Sequence, residues 1–407
     1  MGLLDRISTL KALRYRNYRL YWMGLLVSIM GWQFLTFTQL WLVYELTGST
    51  LYLGAVGGAN GAATILLSLF GGVLADRVDK RRLIIFTQSI MAILALILAT
   101  LAAARLVNVG HLLIIAALTG ATSAFDNPAR QALIPHLIDD PKDLPNAVAL
   151  ASSVWSATRA VGPALAGVLI ASTNPAICFY ITSGAYGVMV LALTRLSVGK
   201  LVVPQVRSSV LSAFKEGWRY VLSNKIFLNL ITITFLNSIF GMSFVYLLPV
   251  FAKDILSAGP SGYGFLMTAF GIGAICGVVT VASVADRGHR GRVLLTGNFL
   301  FCLLLIVFSL SRWYSASLGL IAMAGFFNSI YMTNVITLLQ TLVPNELRGR
   351  VMGIYSLTWS LMPLGGMQAG ALANVLDVPT VVTIGGLVTL SFAVFAAISN
   401  NRIRNLD

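Results

Sequence analysis

Charge is scarce in this chain. Aspartate, glutamate, lysine and arginine together make up 10% of its 407 residues, too little to coat a water-soluble globule of this length. Acids are the scarcer sign, 14 against 28 bases, and nearly all of them stand in loops or at the ends of apolar runs. Cysteine is almost absent: Cys178, Cys276 and Cys302 all fall inside apolar runs, and an odd number without close spacing excludes a disulfide framework and a thiolate metal site. The three histidines, His111, His136 and His289, sit at run edges or in loops with no ligand spacing between them. A membrane-embedded enzyme would need a nucleophile and base, or metal ligands, within its spans, and the chain offers neither.

What is abundant is apolar sequence, 57% of the whole, and it is arranged in blocks. A basic lead-in, Met1 to Arg19, has Leu3, Leu4, Ile7 and Leu10 spaced along one side of a helix, which suits the membrane interface. Twelve segments follow, each near the ~20 residues that cross the hydrocarbon: 20–44, 51–75, 83–103, 111–133, 146–171, 175–196, 226–251, 262–285, 292–311, 315–341, 350–375 and 379–399. The first is too long for a signal-peptide core and lacks a small-residue cleavage site, so it is expected to be retained. The longest connection, 197–225, stripes Val210, Leu211, Phe214, Trp218 and Val221 along one helical face and reads as an amphipathic helix on the membrane surface. The expected fold class is therefore an all-α membrane protein of twelve transmembrane helices in two pseudo-symmetric six-helix bundles, 1–196 and 226–407, joined by the linker 197–225.

The formal charge of +14 would point to nucleic acid in a soluble protein, but here it is a topology signal. With both termini cytoplasmic, nearly every base falls on an inner segment; Arg105, Lys253 and Arg312 face outward and Arg159 lies within a span. The bases are expected to meet anionic headgroups, with no nucleic-acid partner.

The two halves are related. Gly71-Gly72-Val73-Leu74-Ala75-Asp76-Arg77-Val78-Asp79-Lys80-Arg81-Arg82 breaks the apolar pattern after the second run. Ala285-Asp286-Arg287-Gly288-His289-Arg290-Gly291-Arg292 repeats it more weakly after the eighth. At the same offset of 210, Gly54 pairs with Gly264, Gly61 with Gly271 and Asp76 with Asp286. Six plus six spans around a linker is the layout of transporters built from parallel halves.

The loop at 71–82 resembles the signature loop of the major facilitator superfamily. Asn17-Tyr18-Arg19-Leu20-Tyr21-Trp22, Trp41-Leu42-Val43-Tyr44-Glu45-Leu46-Thr47-Gly48-Ser49, Phe125-Asp126-Asn127-Pro128-Ala129-Arg130-Gln131-Ala132 and Gly259-Pro260-Ser261-Gly262-Tyr263-Gly264 resemble the branch of bacterial enterobactin-type siderophore exporters and macrolide-type efflux proteins. Arg159-Ala160-Val161-Gly162-Pro163-Ala164-Leu165-Ala166-Gly167 is similar to the fifth-helix antiporter motif carried by Gly162, Pro163 and Gly167, with Ala166 where the fuller motif often has glycine. The resemblance implies the major facilitator fold in a bacterial inner membrane, and proton-driven export without a cofactor. It also implies a cytoplasmic gate in which Gly72, Asp76, Arg77 and Arg81, with Asp286 and Arg287 in the second half, hold the inner side shut, Asp76 against the start of the eleventh helix.

Other residues are singled out by depth. Asp126 is the one acid clearly inside a span; it reads either as a proton carrier, pulled on by Arg130 or Arg159, or as a structural pair with Arg130 at i,i+4. Arg159, near mid-depth, could bind an anionic substrate, counter Asp126, or bond backbone carbonyls. A midplane substrate cavity between the halves would draw on Gln33, Thr36 and Phe37 in span one, Thr119 and Ser123 in span four, and Trp155 in span five. Asn237, Phe240 and Phe244 in span seven, Asn328 and Tyr331 in span ten, and Trp359 in span eleven would complete it. Such a lining suits a bulky amphipathic small molecule; any member could instead serve helix packing. The expected function is proton-coupled export of a siderophore or drug-like compound by a monomer. The alternative is a symporter importing a metabolite or lysolipid.

Overall fold

Inside hydrocarbon a chain has no water to bond its amides, so runs this apolar close their hydrogen bonds within themselves as helices. The computed structural model describes residues 8–196, 210–283, 289–399 and 404, and among them there are helices and connections but no strand. A short 3-10 turn, Ser8–Arg14, precedes α1 Arg16–Thr47, α2 Thr50–Arg77, α3 Lys80–Ala103, α4 Val109–Leu133, α5 Leu144–Ser172 and α6 Pro175–Thr194. After α7, Val210–Ser223, come α8 Lys225–Ile255, α9 Gly259–Ser283, α10 Arg290–Leu310 and α11 Tyr314–Leu342. α12 Asn345–Ser360, α13 Met362–Leu372 and α14 Val378–Ser399 complete the order.

Eleven of these helical segments are long and apolar enough to cross a membrane. The eleventh expected span, 350–375, is two helices: α12 stops at Ser360 and α13 starts at Met362, with Pro363 at its first turn. Proline has no amide to donate and its ring crowds the preceding turn, so the ladder is interrupted there. α8 is also irregular, with π turns at Asn237–Gly241 and Phe251–Ile255. Caps set other boundaries. Gly48 ends α1 at φ 61°, Asp79 accepts from the Arg82 amide at 3.0 Å to start α3, and Asn108 and His111 form a reciprocal capping box on α4. At the start of α14, bonds from the Thr380 hydroxyl and amide hold the Asp377 carboxyl below the usual carboxylate range.

The chain divides into two compact units, Met1–Gly48 with Ala59–Val206, and Ser49–Gly58 with Arg207–Asp407. In the first, α1 packs on α5 and α6, and α3 on α4 and α6. The lead-in docks on α5: the Ala12 amide donates to Asn146 Oδ1 at 2.9 Å, and Arg14 pairs with Asp143 at 2.8 Å. Tyr18 and Trp22 then donate to the carbonyls of Ala147 and Leu150, at 2.6 and 3.0 Å.

In the second unit α11 packs on α9 and α10, and α10 on α14. The linker helix α7 lies on α12, where a Cβ at Gly217 would stand 2.9 Å from Cβ of Arg350, and Glu216 pairs with Arg350. Val221 is buried and Trp218 exposed; the side chains of residues 210–214 lie outside those described. The first turns of α2 belong to this unit and meet α13. A Cβ at Gly370 would lie 2.5 Å from the Thr50 carbonyl oxygen, so small residues are what allow this approach.

The internal repeat is visible in helix crossings. In the first unit a Cβ at Gly120 would stand 2.1 Å from the carbonyl oxygen of Asn60; in the second, a Cβ at Gly325 would stand 2.1 Å from that of Phe270. Asn60 and Phe270 are 210 residues apart, the offset read from the sequence. The crossing of spans two and four in one half is thus repeated by spans eight and ten in the other.

Candidate functional site

The first unit carries a closed ring of polar groups drawn from α1, α3 and α4. Asp126 and Arg130, one turn apart on α4, are 3% and 6% exposed and bonded to each other. Thr87 Oγ1 and Gln88 Nε2, on α3, both donate to Asp126 Oδ1, at 2.6 and 3.0 Å. Arg130 Nη2 donates to Ser28 Oγ on α1 at 2.8 Å, and Ser28 donates onward to Gln88 Oε1 at 2.9 Å. The ring Asp126–Arg130–Ser28–Gln88 is therefore complete, apart from Arg130 Nη1, which is buried with no acceptor. Two charges taken out of water are tolerable only when paired and saturated in this way. The partner of Asp126 is Arg130, not Arg159.

Ser28, Thr87 and Gln88 were not singled out from the sequence, although the polar pair Thr87-Gln88, two turns into α3, was there to be seen. Equivalent positions in the second unit are neutral. At the offset of 210, Ser238 answers Ser28 and Asn298 answers Gln88; in the register that aligns Gly120 with Gly325, Tyr331 answers Asp126 and Val335 answers Arg130. There Tyr331 donates to Thr234 Oγ1 at 3.2 Å and the Cys302 thiol to Asn298 Oδ1 at 3.2 Å. The ionisable ring belongs to one half alone.

Pro128 lies inside α4 and cannot donate to the carbonyl of Ala124, four residues earlier. That carbonyl is where α2 comes closest, since a Cβ at Gly71 would stand 2.0 Å from its oxygen. Gly72, expected in the gate, has no such neighbour: a Cβ there would meet open space. Arg81 donates from Nε to the Leu193 carbonyl and from Nη2 to that of Thr194, both at 2.7 Å. It thereby satisfies the negative end of α6. Arg77 is exposed at the end of α2. The side chain of Asp76, and Asp286 and Arg287 entirely, lie outside the described residues.

The α5 motif has a local logic. Gly162 admits α1, a Cβ there falling 2.8 Å from Cβ of Gln33, and Gly167 is buried. Pro163, inside the helix, leaves the Arg159 carbonyl without a ladder partner. Arg159 itself is exposed and makes no hydrogen bond or ion pair among the described residues. Trp155, one turn away, meets Trp32 edge-on at 5.6 Å between ring centroids.

The residues expected to line a cavity fall into two groups. Gln33, Phe37, Thr119, Asn237, Phe244, Asn328 and Tyr331 are buried, whereas Thr36, Ser123, Trp155, Phe240 and Trp359 keep some open surface. Gln33 Nε2 and both polar atoms of the Asn237 amide are buried without partners. Among the described residues no cluster of histidine, cysteine and acids is placed to hold a metal.

Two related sets of membrane-spanning helices, with buried charge confined to one set and an unpaired arginine at mid-helix, define a helical membrane transporter. The chain belongs to the transmembrane secretion effector family of the major facilitator superfamily, whose model matches residues 7–407. It is similar to the staphyloferrin A transporter of Staphylococcus aureus, with 26% identity over 89% of this chain and 91% of that one. It also resembles the multidrug efflux pump Tap of Mycolicibacterium fortuitum, at 25% over 82% and 83%, and macrolide efflux protein A of Streptococcus pyogenes, at 23% over 97% and 99%. Among solved structures, a bacterial homolog of the human lysosomal transporter Spinster, inward-facing and occupied, superposes with a TM-score of 0.76 at 14% identity over 96% of this chain and 98% of that one. The nucleoside transporter NupG does so with 0.74 at 15%, over 94% and 98%. These two establish the fold, and the family places the protein among integral membrane transporters of small molecules rather than enzymes.

Proposed function

We propose that this protein exports an amphipathic small molecule of the siderophore or drug-like kind by alternating access, driven by the inward flow of protons across a bacterial inner membrane. It works as a monomer with both termini in the cytoplasm, and the proton gradient takes the place of any cofactor. The names of the relatives, which are a siderophore transporter and efflux pumps, support the direction and the cargo class. The observation that carries the coupling is the Asp126–Arg130 ring, which ties α1, α3 and α4 through one carboxylate. Protonating that carboxylate cancels its charge and turns an acceptor into a donor. Arg130, Thr87 and Gln88 then lose a common partner, so the three helices are free to change their packing.

The test is transport by purified protein in liposomes with a panel of siderophores and drugs. A pH gradient should drive accumulation of at least one compound. Asp126→Asn should keep gradient-free counterflow of that compound and lose the response to pH. Undiminished pH-driven transport by the variant would remove the ring from coupling. Uptake of a metabolite down the proton gradient, with no panel member moved, would reverse the direction in favour of a symporter.

A further inference from the structure

Arg159 holds a charge that the ring does not use. It stands fifteen residues into α5, about 22 Å from Leu144 and nearly as far from Ser172, so neither end of the helix brings it to the membrane surface. A guanidinium at that depth is costly unless it meets a partner or water. Among the described residues it meets no partner.

The rest of α5 shows which way it faces. At 100° per residue, Ser152, Ser156 and Arg159 fall within one narrow sector, and all three are exposed. On the far side of the helix Val161, Leu165 and Val168 are also exposed, at 47, 50 and 46%. The helix therefore has two open faces, an apolar one through Val161, Leu165 and Val168, and one that carries Ser152, Ser156 and Arg159 beside the exposed Val148. The apolar face is the one lipid tails can cover, which leaves Arg159 and the serines to face an aqueous space. Both serine hydroxyls donate to carbonyls of their own helix, so Arg159 supplies the strong donors there. The margin of this face is aromatic, with Trp155 against Trp32. Beside Gly162, Gln33 adds an amide nitrogen buried without a partner.

Resting on the transport reading above, we infer that this face of α5 is an anion-recognition subsite, and that the transported molecule carries a carboxylate or similar oxyanion next to an aromatic or apolar body. Arg159 takes the oxyanion through its planar fork of donors, and the Trp155–Trp32 edge takes the apolar part. Lysine, a point charge on a flexible stem, would keep the attraction and lose the fork.

The experiment is equilibrium binding to the full-length protein in neutral detergent, read by quenching of tryptophan fluorescence, with 2-naphthoate and its uncharged counterpart 2-naphthamide. Wild type should bind the carboxylate about tenfold more tightly than the amide. Arg159→Gln should bind both equally and at the amide's affinity, and Arg159→Lys should keep part of the preference. Because Arg159 bonds nothing among the described residues, the melting temperature of Arg159→Gln should match that of wild type, so a lost preference is not lost folding. Equal binding of the two probes by wild type, no binding of either, or a preference that survives Arg159→Gln overturns the inference. So does displacement of naphthoate by micellar phosphatidylglycerol at low mole fraction, which would make the site's anion a lipid headgroup. No gradient or direction enters this measurement, so its failure leaves proton-driven export standing, and failure of export leaves the subsite standing.

Discussion

Two arginines at depth behave in opposite ways, and the difference lies in what each one touches. Arg130 is enclosed and saturated apart from one nitrogen; Arg159 is open and bonds nothing. Breaking an enclosed pair strands the remaining charge, which costs about 3–5 kcal/mol. Arg130→Gln and Asp126→Asn should each lower the melting temperature of the purified protein markedly, while Arg159→Gln leaves it unchanged. Equal melting of all three would show that the ring contributes no stability. Sequence reasoning located Asp126, Arg130 and Arg159 because charges are conspicuous in apolar runs, and the i,i+4 spacing favoured the pair that forms. The other ring members were not legible: Ser28, Thr87 and Gln88 lie 38 to 102 positions away from their partners along the chain, and neutral polar residues in a span look like ordinary packing groups.

Glycines decide how closely helices approach, but position decides which glycines matter. Gly71, Gly120 and Gly325 each leave room for a carbonyl oxygen of a neighbouring helix that a methyl group would overlap, whereas a methyl at Gly72 would meet nothing. Gly120→Ala and Gly325→Ala should each destabilise by about 1–3 kcal/mol, the usual cost of overpacking a close contact. Gly72→Ala should be neutral or stabilise by up to about 1 kcal/mol, since alanine favours helix. Thermal or chaotrope unfolding of the three variants in detergent checks the ranking; a Gly72→Ala loss as large as the others would contradict it. The repeat was readable because it rests on offset alone, and the offset of 210 that aligns the glycines also aligns the crossings. Three-dimensional neighbours were not, so adjacent glycines at 71 and 72 could not be told apart. The break in span eleven was foreshadowed by Pro363, but the hydropathy of the whole stretch outweighed that single residue.

Over the whole molecule, the contrast among the described residues is between a half that buries an ion pair and a half that repeats its frame with neutral residues at those positions. Ser28, Gln88, Asp126 and Arg130 have Ser238, Asn298, Tyr331 and Val335 in the equivalent registers, so the coupling proposed above would act on the helices of the first unit alone. The orientation proposed for the chain rests on its lysines and arginines, which favour the cytoplasmic side. With both termini inside, the turn between α3 and α4 lies outside the cell and the connection between α4 and α5 lies in the cytoplasm. Leu106, 66% exposed in the first, and Lys142, exposed in the second, suit a test in which Cys178, Cys276 and Cys302 are first replaced by alanine or serine. In intact cells a membrane-impermeant maleimide should label Leu106→Cys and leave Lys142→Cys unlabelled until the membrane is opened. The reverse pattern would place the termini outside and overturn the orientation read from the basic residues.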